Sequence, residues 1–316
     1  MTAAPDIADI RKAAERIRGF VRKTPLLSAA PAREHADLAG GLLLKLECLQ
    51  VTGSFKARGA INAVLLLPQE QLRQGVVTAS GGNHGLAVAY AGRAAGVPAT
   101  IFLPCSAAAE KIERLAAWGA RVVIAGEAWD DSNKAALLHA EAEGLAYIHP
   151  FADPAVIAGQ GTTALEILDE APGIDTLVVA VGGGGLIAGI AIAAAALKPE
   201  IRIIGVEPAG APTLHDSLVA GRIVELAGLD TAAVSLAPRR SERVNFEIVQ
   251  EKVERIALLK DEEMRRAARW LWQEHGIAAE LSGAAAVAAL LAGRYRAGPA
   301  ERVCAVVCGA GADGIG

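Results

Sequence analysis

The twelve residues from Leu177 to Ala188, LVVAVGGGGLIA, join an apolar run to an apolar helix through four consecutive glycines. The run Leu177–Val181 shows no polar alternation, which is typical of a strand covered on both faces in a parallel sheet. The same order of strand, glycine turn and helix starts near residue 75 and recurs after residue 149. This alternation predicts an α/β protein whose parallel strands are joined by right-handed crossovers.

The periodicity of apolar residues predicts the remaining elements. Further strands are expected at 42–47, 76–79, 99–103, 121–124, 202–206, 255–259 and 303–307. Helices are expected at 7–20, 55–67 with Ser54 as its cap, 110–118, 132–143, 160–169, 261–274 and 282–291. Because 316 residues are many for a single core, we expect two open, mostly parallel, twisted sheets flanked by helices, one in each of two domains.

Composition and charge exclude several classes of protein. Hydrophobic residues make up 53% of the chain and aromatic residues 4%, so Ala, Leu, Val and Ile must build the core. The net charge of −4, without a basic block, argues against nucleic-acid binding and against a membrane-surface protein. No stretch reads as a membrane span or signal peptide. The four cysteines lack metal-ligand spacing, so a reducing cytoplasm is the expected location.

The glycine loop itself predicts a phosphate site. Successive glycines let backbone amides approach an anion, and the following helix N-terminus adds partial positive charge. A plain tight turn is the structural alternative. A second alternative is a dinucleotide site, because Gly183–Ala188 fits G-x-G-x-x-G/A and Glu207 ends the next strand, where an acidic residue binds ribose. The loop alone does not separate these functions.

The second informative segment, TGSFKARGA from Thr52 to Ala60, places Lys56 in the first turn of a helix. Most lysines are solvated surface charges. Here the neighbours are small or aromatic, and a helix start disfavours an ammonium group. We therefore expect a lowered pKa for Lys56, which a lysine that forms a Schiff base requires.

These residues resemble the cofactor-lysine motif of the fold-type II pyridoxal-phosphate enzymes, in particular the serine/threonine dehydratase (threonine ammonia-lyase) family. The resemblance continues in order through TPL at Thr24, KLE at Lys45, SGGNHG at Ser80, HPF at His149, AGQGT at Ala158, the glycine loop, GVEP at Gly205 and ELSGA at Glu280. It implies a tryptophan-synthase-β-like homodimer with its active site between two domains. The large cofactor-binding domain would comprise residues 1–50 and 149–316, and the small substrate-binding domain residues 51–148, with a core at about 75–148.

The resemblance also implies pyridoxal 5'-phosphate as cofactor and a role for each site residue. Lys56 would bind the cofactor covalently and then remove the Cα proton of the substrate. The other cofactor-binding residues would be Phe55 beside the ring, Asn83 at the ring hydroxyl, Gly182, Gly183, Gly184, Gly185 and Leu186 around the phosphate, Glu280, and Cys308 at the ring nitrogen. The substrate carboxylate would be held by Ser80, Gly81, Gly82, Asn83 and His84. A thiol at Cys308 is a weak neutral partner, which leaves the ring nitrogen unprotonated and suits β-elimination.

Three positions depart from the family pattern. Gly81 stands where the racemases of the family carry the serine that acts as second acid/base, so racemisation is disfavoured and a bulkier substrate could fit. At the family's cation site Glu207 and Ala211 match, but Thr213 replaces the second acidic residue, which favours a monovalent ion such as K+ over magnesium. Residues 231–245 lack the usual Ala-Asp-Gly pattern. The chain also stops soon after Cys308, so we expect a catabolic enzyme without a regulatory domain.

The sequence therefore predicts a lyase that converts L-threonine or L-serine into 2-oxobutanoate or pyruvate plus ammonia. One alternative is a dehydratase for a larger β-hydroxy amino acid such as L-threo-3-phenylserine. The others are a nicotinamide oxidoreductase that uses the Gly183–Ala188 loop, and a pyridoxal-phosphate binder without catalytic activity. The expected ligand is a small amino acid, with no nucleic acid or membrane as partner.

Overall fold

The computed structural model describes residues 3–34 and 40–315. Its helices are α1 Ile7–Ile17, α2 Lys56–Leu66, α3 Gln69–Gln74, α4 Asn83–Ala95, α5 Ala109–Ala117, α6 Trp129–Glu143, α7 Pro154–Glu170, α8 Gly185–Leu197, α9 Thr213–Ala220, α10 Arg243–Lys252, α11 Asp261–His275 and α12 Leu281–Leu291. Its strands are β1 Leu26–Ser28, β2 Leu42–Lys45, β3 Val76–Ala79, β4 Ala99–Leu103, β5 Arg121–Ile124, β6 Ala146–Tyr147, β7 Thr176–Ala180, β8 Arg202–Pro208, β9 Arg255–Leu259 and β10 Val303–Val306. None of the described helices is long and apolar enough to cross a membrane.

The strands form two sheets, as expected. The larger sheet has six strands in the order β1-β2-β10-β7-β8-β9, and only the β1–β2 pair is antiparallel. The smaller sheet has four parallel strands in the order β5-β4-β3-β6. Since parallel strands end on one edge of a sheet, the loops after β3, β7 and β10 are available to build a site. The predicted domains, residues 1–50 with 149–316 and residues 51–148, stay a prediction. The sheets support it, because β3 to β6 form the small sheet and the other strands form the large one.

Small aliphatic side chains fill the core, as the composition predicts. The central helices α8 and α12 are buried along most of their length, from Gly185 to Ala194 and from Leu281 to Leu290. A separate cluster beneath the small sheet takes in much of α2, including Ile61 and Val64. Helix α2 packs its apolar residues against α4 and α7 and holds its first residue, Lys56, at its N-terminal end.

Several predicted boundaries are wrong, each for a local reason. Helix α1 ends at Ile17 and not at residue 20, because Arg18 leaves the helical region with a ψ of 127° and Gly19 follows with a φ of 89°. Helix α7 begins six residues before the predicted position 160, since Asp153 caps it and Pro154 occupies its first position. The predicted cap at Ser54 is wrong: its buried hydroxyl has no hydrogen-bond partner in the described chain, and α2 begins at Lys56. Short helices α3, α9 and α10 were not predicted at all.

Candidate active site

The glycine loop after β7 ends on the N-terminus of α8. Gly184 is the cap residue of this helix and adopts a φ of 94°, a left-handed conformation that glycine tolerates. The first amides of α8, those of Gly185, Leu186 and Ile187, have no acceptor in the described chain. These uncapped N–H groups and the helix dipole form a cradle for an anion.

The cradle is closely packed from behind. A Cβ on Gly183 would lie 2.3 Å from the ring of Phe151, and one on Gly185 would lie 2.6 Å from the carbonyl oxygen of Phe151. The Gly183 carbonyl oxygen accepts hydrogen bonds from Ser241 Oγ at 3.0 Å and Asn245 Nδ2 at 2.7 Å. The two hydrogen bonds fix the loop. Both positions require glycine, because a side chain at Gly183 or Gly185 would displace Phe151.

Lys56 lies at the first position of α2, beside this cradle. Its Nζ donates a hydrogen bond of 2.6 Å to the carbonyl oxygen of Pro150, the residue before Phe151. Burial lowers the pKa of Lys56 to about 8, against a smaller opposing effect of the Cys308 side chain. The Phe55 ring centroid lies 5.1 Å from Nζ. Lys56 therefore loses its proton far more readily than a surface lysine, as the sequence predicts.

The loop between β3 and α4 presents a second set of free amides. The N–H groups of Asn83, His84 and Gly85 have no acceptor in the described chain, and no side chain caps α4. Ser80 Oγ accepts a hydrogen bond of 3.3 Å from the amide of Gly82, which shapes the turn. Such an uncapped helix start suits a carboxylate.

The imidazole of His84 faces away from this loop. Its Nε2 lies 2.9 Å from the Ile148 carbonyl oxygen and must carry the proton, since a carbonyl can only accept. Its Nδ1 is buried without a partner in the described chain. Burial, and then the charge of Lys56, lower the pKa of His84 to about 3. The ring is therefore neutral, and the main-chain N–H is the group of His84 that could bind the predicted carboxylate.

A third group of residues spans the cleft between the two sheets. Asn83 Nδ2, at the start of α4, donates a hydrogen bond of 2.7 Å to Glu280 Oε1, just before α12. Burial raises the pKa of Glu280, although hydrogen bonds from Asn83 and Ser235 oppose this. Cys308 Sγ donates to the Ser282 carbonyl oxygen at 3.4 Å, and burial raises the pKa of the thiol above its usual range. Cys308 is thus a neutral thiol, as expected.

Glu207 lies at the N-terminus of α9. Its buried carboxylate accepts hydrogen bonds of 2.9 Å from the amides of Leu214 and His215, and so caps α9. Burial raises the pKa of Glu207 to about 8. It is not free to bind a ribose. Thr213 Oγ1 donates to the Pro238 carbonyl oxygen at 2.7 Å, and no group of three or more acidic, His or Cys ligands occurs among the described residues.

A cavity of about 1030 Å³ lies elsewhere, among α1, α7 and α8. None of the predicted site residues lines it. At its floor Arg58 Nη1 and Glu166 Oε1 are paired at 2.6 Å, and the Arg58 guanidinium also contacts Glu47 at 2.8 Å. These charges are paired with one another, so the described residues leave no unpaired ionic group at the base of this cavity.

The residues of the cleft fit pyridoxal phosphate. The amides of α8 are an uncapped cradle for its phosphate, and the adjacent Lys56 has a depressed pKa. The Pro150 carbonyl oxygen accepts the hydrogen bond from Lys56, and the next residue, Phe151, packs on the cradle. Lys56 and the cradle are therefore held next to each other. At the other end the neutral thiol of Cys308 lies close to Glu280, which bonds to Asn83. An anion site for the phosphate and an amine for the aldehyde are the groups that such a cofactor requires, and a neutral thiol is a weak partner for its ring nitrogen.

Sequence reasoning missed several residues of the site. It assigned no role to Pro150 or Phe151, although their segment belongs to the family resemblance. It gave no role to Ser241 or Asn245, which hold the glycine loop. It noticed only that residues 231–245 depart from the pattern, and that departure was the one signal pointing to Ser235.

The low pKa of Lys56 gives a testable result on the protein without cofactor. Acylation of Lys56, followed by mass spectrometry as a function of pH, should show a midpoint of about 8. An ordinary exposed lysine has its midpoint at roughly 10.4. The neutral amine is the reactive form, so reactivity must rise with pH through the lower value. A midpoint near that of exposed lysines would contradict the environment described here.

Comparison with known proteins agrees with this geometry. Residues 17–309 match the family described as pyridoxal-phosphate dependent enzyme. The chain is 40% identical over 295 residues to an L-threonine ammonia-lyase of Geobacter sulfurreducens, covering 93% of this chain and 73% of the relative. It is 33% identical over 312 residues to a phenylserine dehydratase of Ralstonia pickettii, covering 99% and 95%. The structure of maize serine racemase superposes with a TM-score of 0.92 at 34% identity, covering 98% of this chain and 94% of that one.

Proposed function

The chain belongs to the pyridoxal-phosphate dependent enzymes, and on that premise we propose that it removes water from L-threonine or L-serine to release a 2-oxo acid and ammonia. The observation that carries this proposal is the position of Lys56. A lysine with a depressed pKa lies beside an uncapped anion cradle, and the free amides of α4 are on the other domain's side of the cleft. These groups suit a substrate with an acidic Cα–H and a carboxylate.

The residues of the chain divide the work of elimination. Pyridoxal phosphate, when bound, supplies an electron sink for the charge that develops at Cα. Lys56 would hold the cofactor covalently until the substrate amine takes its place, and the free Lys56 amine would then accept the Cα proton. That proton and the departing β-hydroxide leave together as water. Hydrolysis of the released enamine then gives the 2-oxo acid and ammonia.

The α4 loop orients the substrate for this step. The amides of Asn83, His84 and Gly85 are free to bind the α-carboxylate, as the resemblance implies. They are fixed in advance, because Ser80 and Gly82 close the turn. A carboxylate held in one place presents a single face of Cα to Lys56. The reaction is then faster, because the reacting groups no longer have to find this orientation by chance.

Gly81 favours elimination over racemisation. Without a side chain, Gly81 supplies no acid/base on the face opposite Lys56, which a two-base racemase requires. A Cβ at this position would lie 3.1 Å from Leu103 Cδ2 and 3.5 Å from Lys111 Cδ, so a serine fits after a small shift of Leu103.

Gly81→Ser is expected to add D-serine formation from L-serine, rising at least about tenfold above the unmodified enzyme if a second base is introduced. Chiral chromatography of the reaction mixture measures this. Gly82→Ser is the matched comparison, since nothing lies within 4 Å of its Cβ position. Equal D-serine formation in both variants, or none in Gly81→Ser, would show that Gly81 does not set the reaction type.

A second candidate is dehydration of a bulkier substrate such as L-threo-3-phenylserine. Gly81 carries no side chain that a larger substrate would meet, and the relative called phenylserine dehydratase matches this chain over nearly its full length. Comparing kcat/KM for threonine, serine, 3-hydroxyaspartate and phenylserine distinguishes the two candidates. A kcat/KM for phenylserine that exceeds that for threonine and serine by roughly tenfold or more, about 1.4 kcal/mol of transition-state stabilisation, would favour the second candidate.

The finer properties belong to the same proposal. We expect a homodimer, as the resemblance implies, and light scattering tests this. A reducing cytoplasm is supported by four free cysteines, Cys48, Cys105, Cys304 and Cys308, within the described chain. A monovalent cation near Glu207, Ala211 and Thr213 stays a proposal. Activity with K+ replaced by a tetraalkylammonium salt tests it, and unchanged activity would remove it.

A further inference from the structure

We infer that Ser235 is a positioning residue that holds the Glu280 carboxylate against Asn83 and so links the two sheets across the cofactor cleft. Its hydroxyl lies 3.2 Å from Glu280 Oε1, the same oxygen that accepts the hydrogen bond from Asn83 Nδ2 at 2.7 Å. Glu280 therefore receives one donor from each side of the cleft. Ser235 lies in residues 231–245, one of the three places where the sequence departs from the family pattern.

The main chain at Ser235 is fixed by the phosphate cradle. A Cβ on Gly182 would lie 3.1 Å from both the Ser235 carbonyl oxygen and Leu236 Cα, so this segment covers the first glycine of the loop. The start of the segment is anchored at α11, where Asp261 accepts hydrogen bonds of 2.6 Å from Thr231 Oγ1 and from the Ala232 amide. The backbone therefore delivers the Ser235 side chain to a defined place.

The hydroxyl of Ser235 also contacts the ring-nitrogen end of the site. Ser235 Oγ and Ser282 Oγ share a hydrogen bond, and the Ser282 carbonyl oxygen accepts from Cys308 Sγ at 3.4 Å. A hydroxyl carries one proton, so Ser235 can donate to Glu280 only while Ser282 donates to Ser235. The hydrogen bonds therefore run in one direction, from Ser282 to Ser235 and from Ser235 to the Glu280 carboxylate. A single residue, Ser235, connects the phosphate cradle, which its main chain contacts at Gly182, to Glu280.

The position of Glu280 depends on this donor. Behind it, a Cβ on Gly309 would lie 2.4 Å from Oε1, so the carboxylate is pressed against the β10 loop. The charged neighbours act in opposite directions, Asp313 repelling the carboxylate and Arg114 attracting it. Without Ser235 the carboxylate keeps only Asn83 as side-chain donor to Oε1, and we expect it to rotate or to take up a proton.

The test combines cofactor binding with a double-mutant cycle. Ser235→Ala should weaken pyridoxal-phosphate binding, followed by quenching of protein fluorescence, by roughly tenfold, the value of one hydrogen bond to a charged group. Ser235→Thr, which keeps the hydroxyl, should restore affinity to within about threefold. In a Glu280→Gln background Ser235→Ala should add less than about twofold, because the two residues act through one contact. Full additivity of the two substitutions would overturn the inference.

A second readout needs no cofactor. Hydrogen–deuterium exchange of the peptide that contains the bonded amides of α4, from Leu86 to Gly92, should be about three- to tenfold faster in Ser235→Ala, since Glu280 is then free to rotate and its contact with Asn83 at the start of α4 weakens. The neighbouring Val234 is 74% exposed, and Val234→Ala should leave exchange and binding unchanged. Equal exchange in the Ser235→Ala variant and the parent would contradict the link.

The inference rests on the proposed cofactor site, and the two can fail separately. A parent protein that binds no pyridoxal phosphate would refute the site itself. Equal affinity of the parent and the Ser235→Ala variant for pyridoxal phosphate would refute only the role of Ser235.

Discussion

Lys56→Ala is expected to lower turnover of threonine or serine by about 10⁴-fold, at the upper end of what one acid/base group contributes. We expect no other lysine of the described chain to replace it, because the amine must reach both the cofactor and the substrate Cα from the buried position beside Pro150. The variant should also lose the visible absorbance that a lysine-bound pyridoxal phosphate gives. Both quantities are measured on the same preparation, by absorbance and by a 2-oxo acid assay.

Lys12→Ala is the control for this experiment. Lys12 is exposed on α1 and has no hydrogen bond from its side chain within the described chain, so its removal should leave absorbance and turnover at the parent values. If Lys56→Ala kept the visible band together with turnover, another residue would hold the cofactor, and the assignment of Lys56 would be wrong.

Gly185→Ala is expected to weaken pyridoxal-phosphate binding by at least about 100-fold, which corresponds to losing one or two amide hydrogen bonds to a charged group. The new Cβ would lie 2.6 Å from the Phe151 carbonyl oxygen and 2.9 Å from Phe151 Cα. These are backbone atoms and cannot move aside as a side chain would. The start of α8 must shift, and its first amides then no longer converge on one anion. Equilibrium dialysis of the protein with pyridoxal phosphate measures the affinity.

The same substitution should also reduce the stability of the protein without cofactor, by about 1–3 kcal/mol, because the contact is overpacked. Thermal unfolding without ligand therefore separates a folding defect from a binding defect. Gly228→Ala is the matched control, since nothing lies within 4 Å of its Cβ position and its φ is not positive. Parent affinity in Gly185→Ala would show that the α8 cradle does not hold the phosphate.

Continuous apolar runs predicted the sheets well. Strands 76–79, 99–103, 121–124 and 255–259 were predicted with their observed bounds, and the glycine loop was correctly placed between β7 and α8. These features depend on neighbours in sequence, which a periodic pattern records. The helix α7 was predicted too short because its buried first turns contain Gly159 and a proline, and neither residue type suggests a helix interior.

The site was only partly predictable, for a related reason. Lys56 and the glycine loop are local motifs, and both lie at the start of a helix as the sequence predicts. Ser54 reads as a helix cap, yet its hydroxyl is buried without a partner in the described residues, because the chain at this point pairs with Gly309. The contact of Lys56 with the Pro150 carbonyl oxygen spans 94 residues, and that of Ser235 with Glu280 spans 45. No local pattern encodes such contacts.

Product analysis tests the central claim most directly. The protein is loaded with pyridoxal phosphate and incubated in separate reactions with L-threonine, L-serine and L-threo-3-phenylserine, and both 2-oxo acid and ammonia are quantified. We predict equal amounts of the two products from at least one of these substrates, and none above background from Lys56→Ala. A protein that takes up the cofactor and yet forms neither product from any of the three, or a Lys56→Ala variant that forms both, would contradict the account.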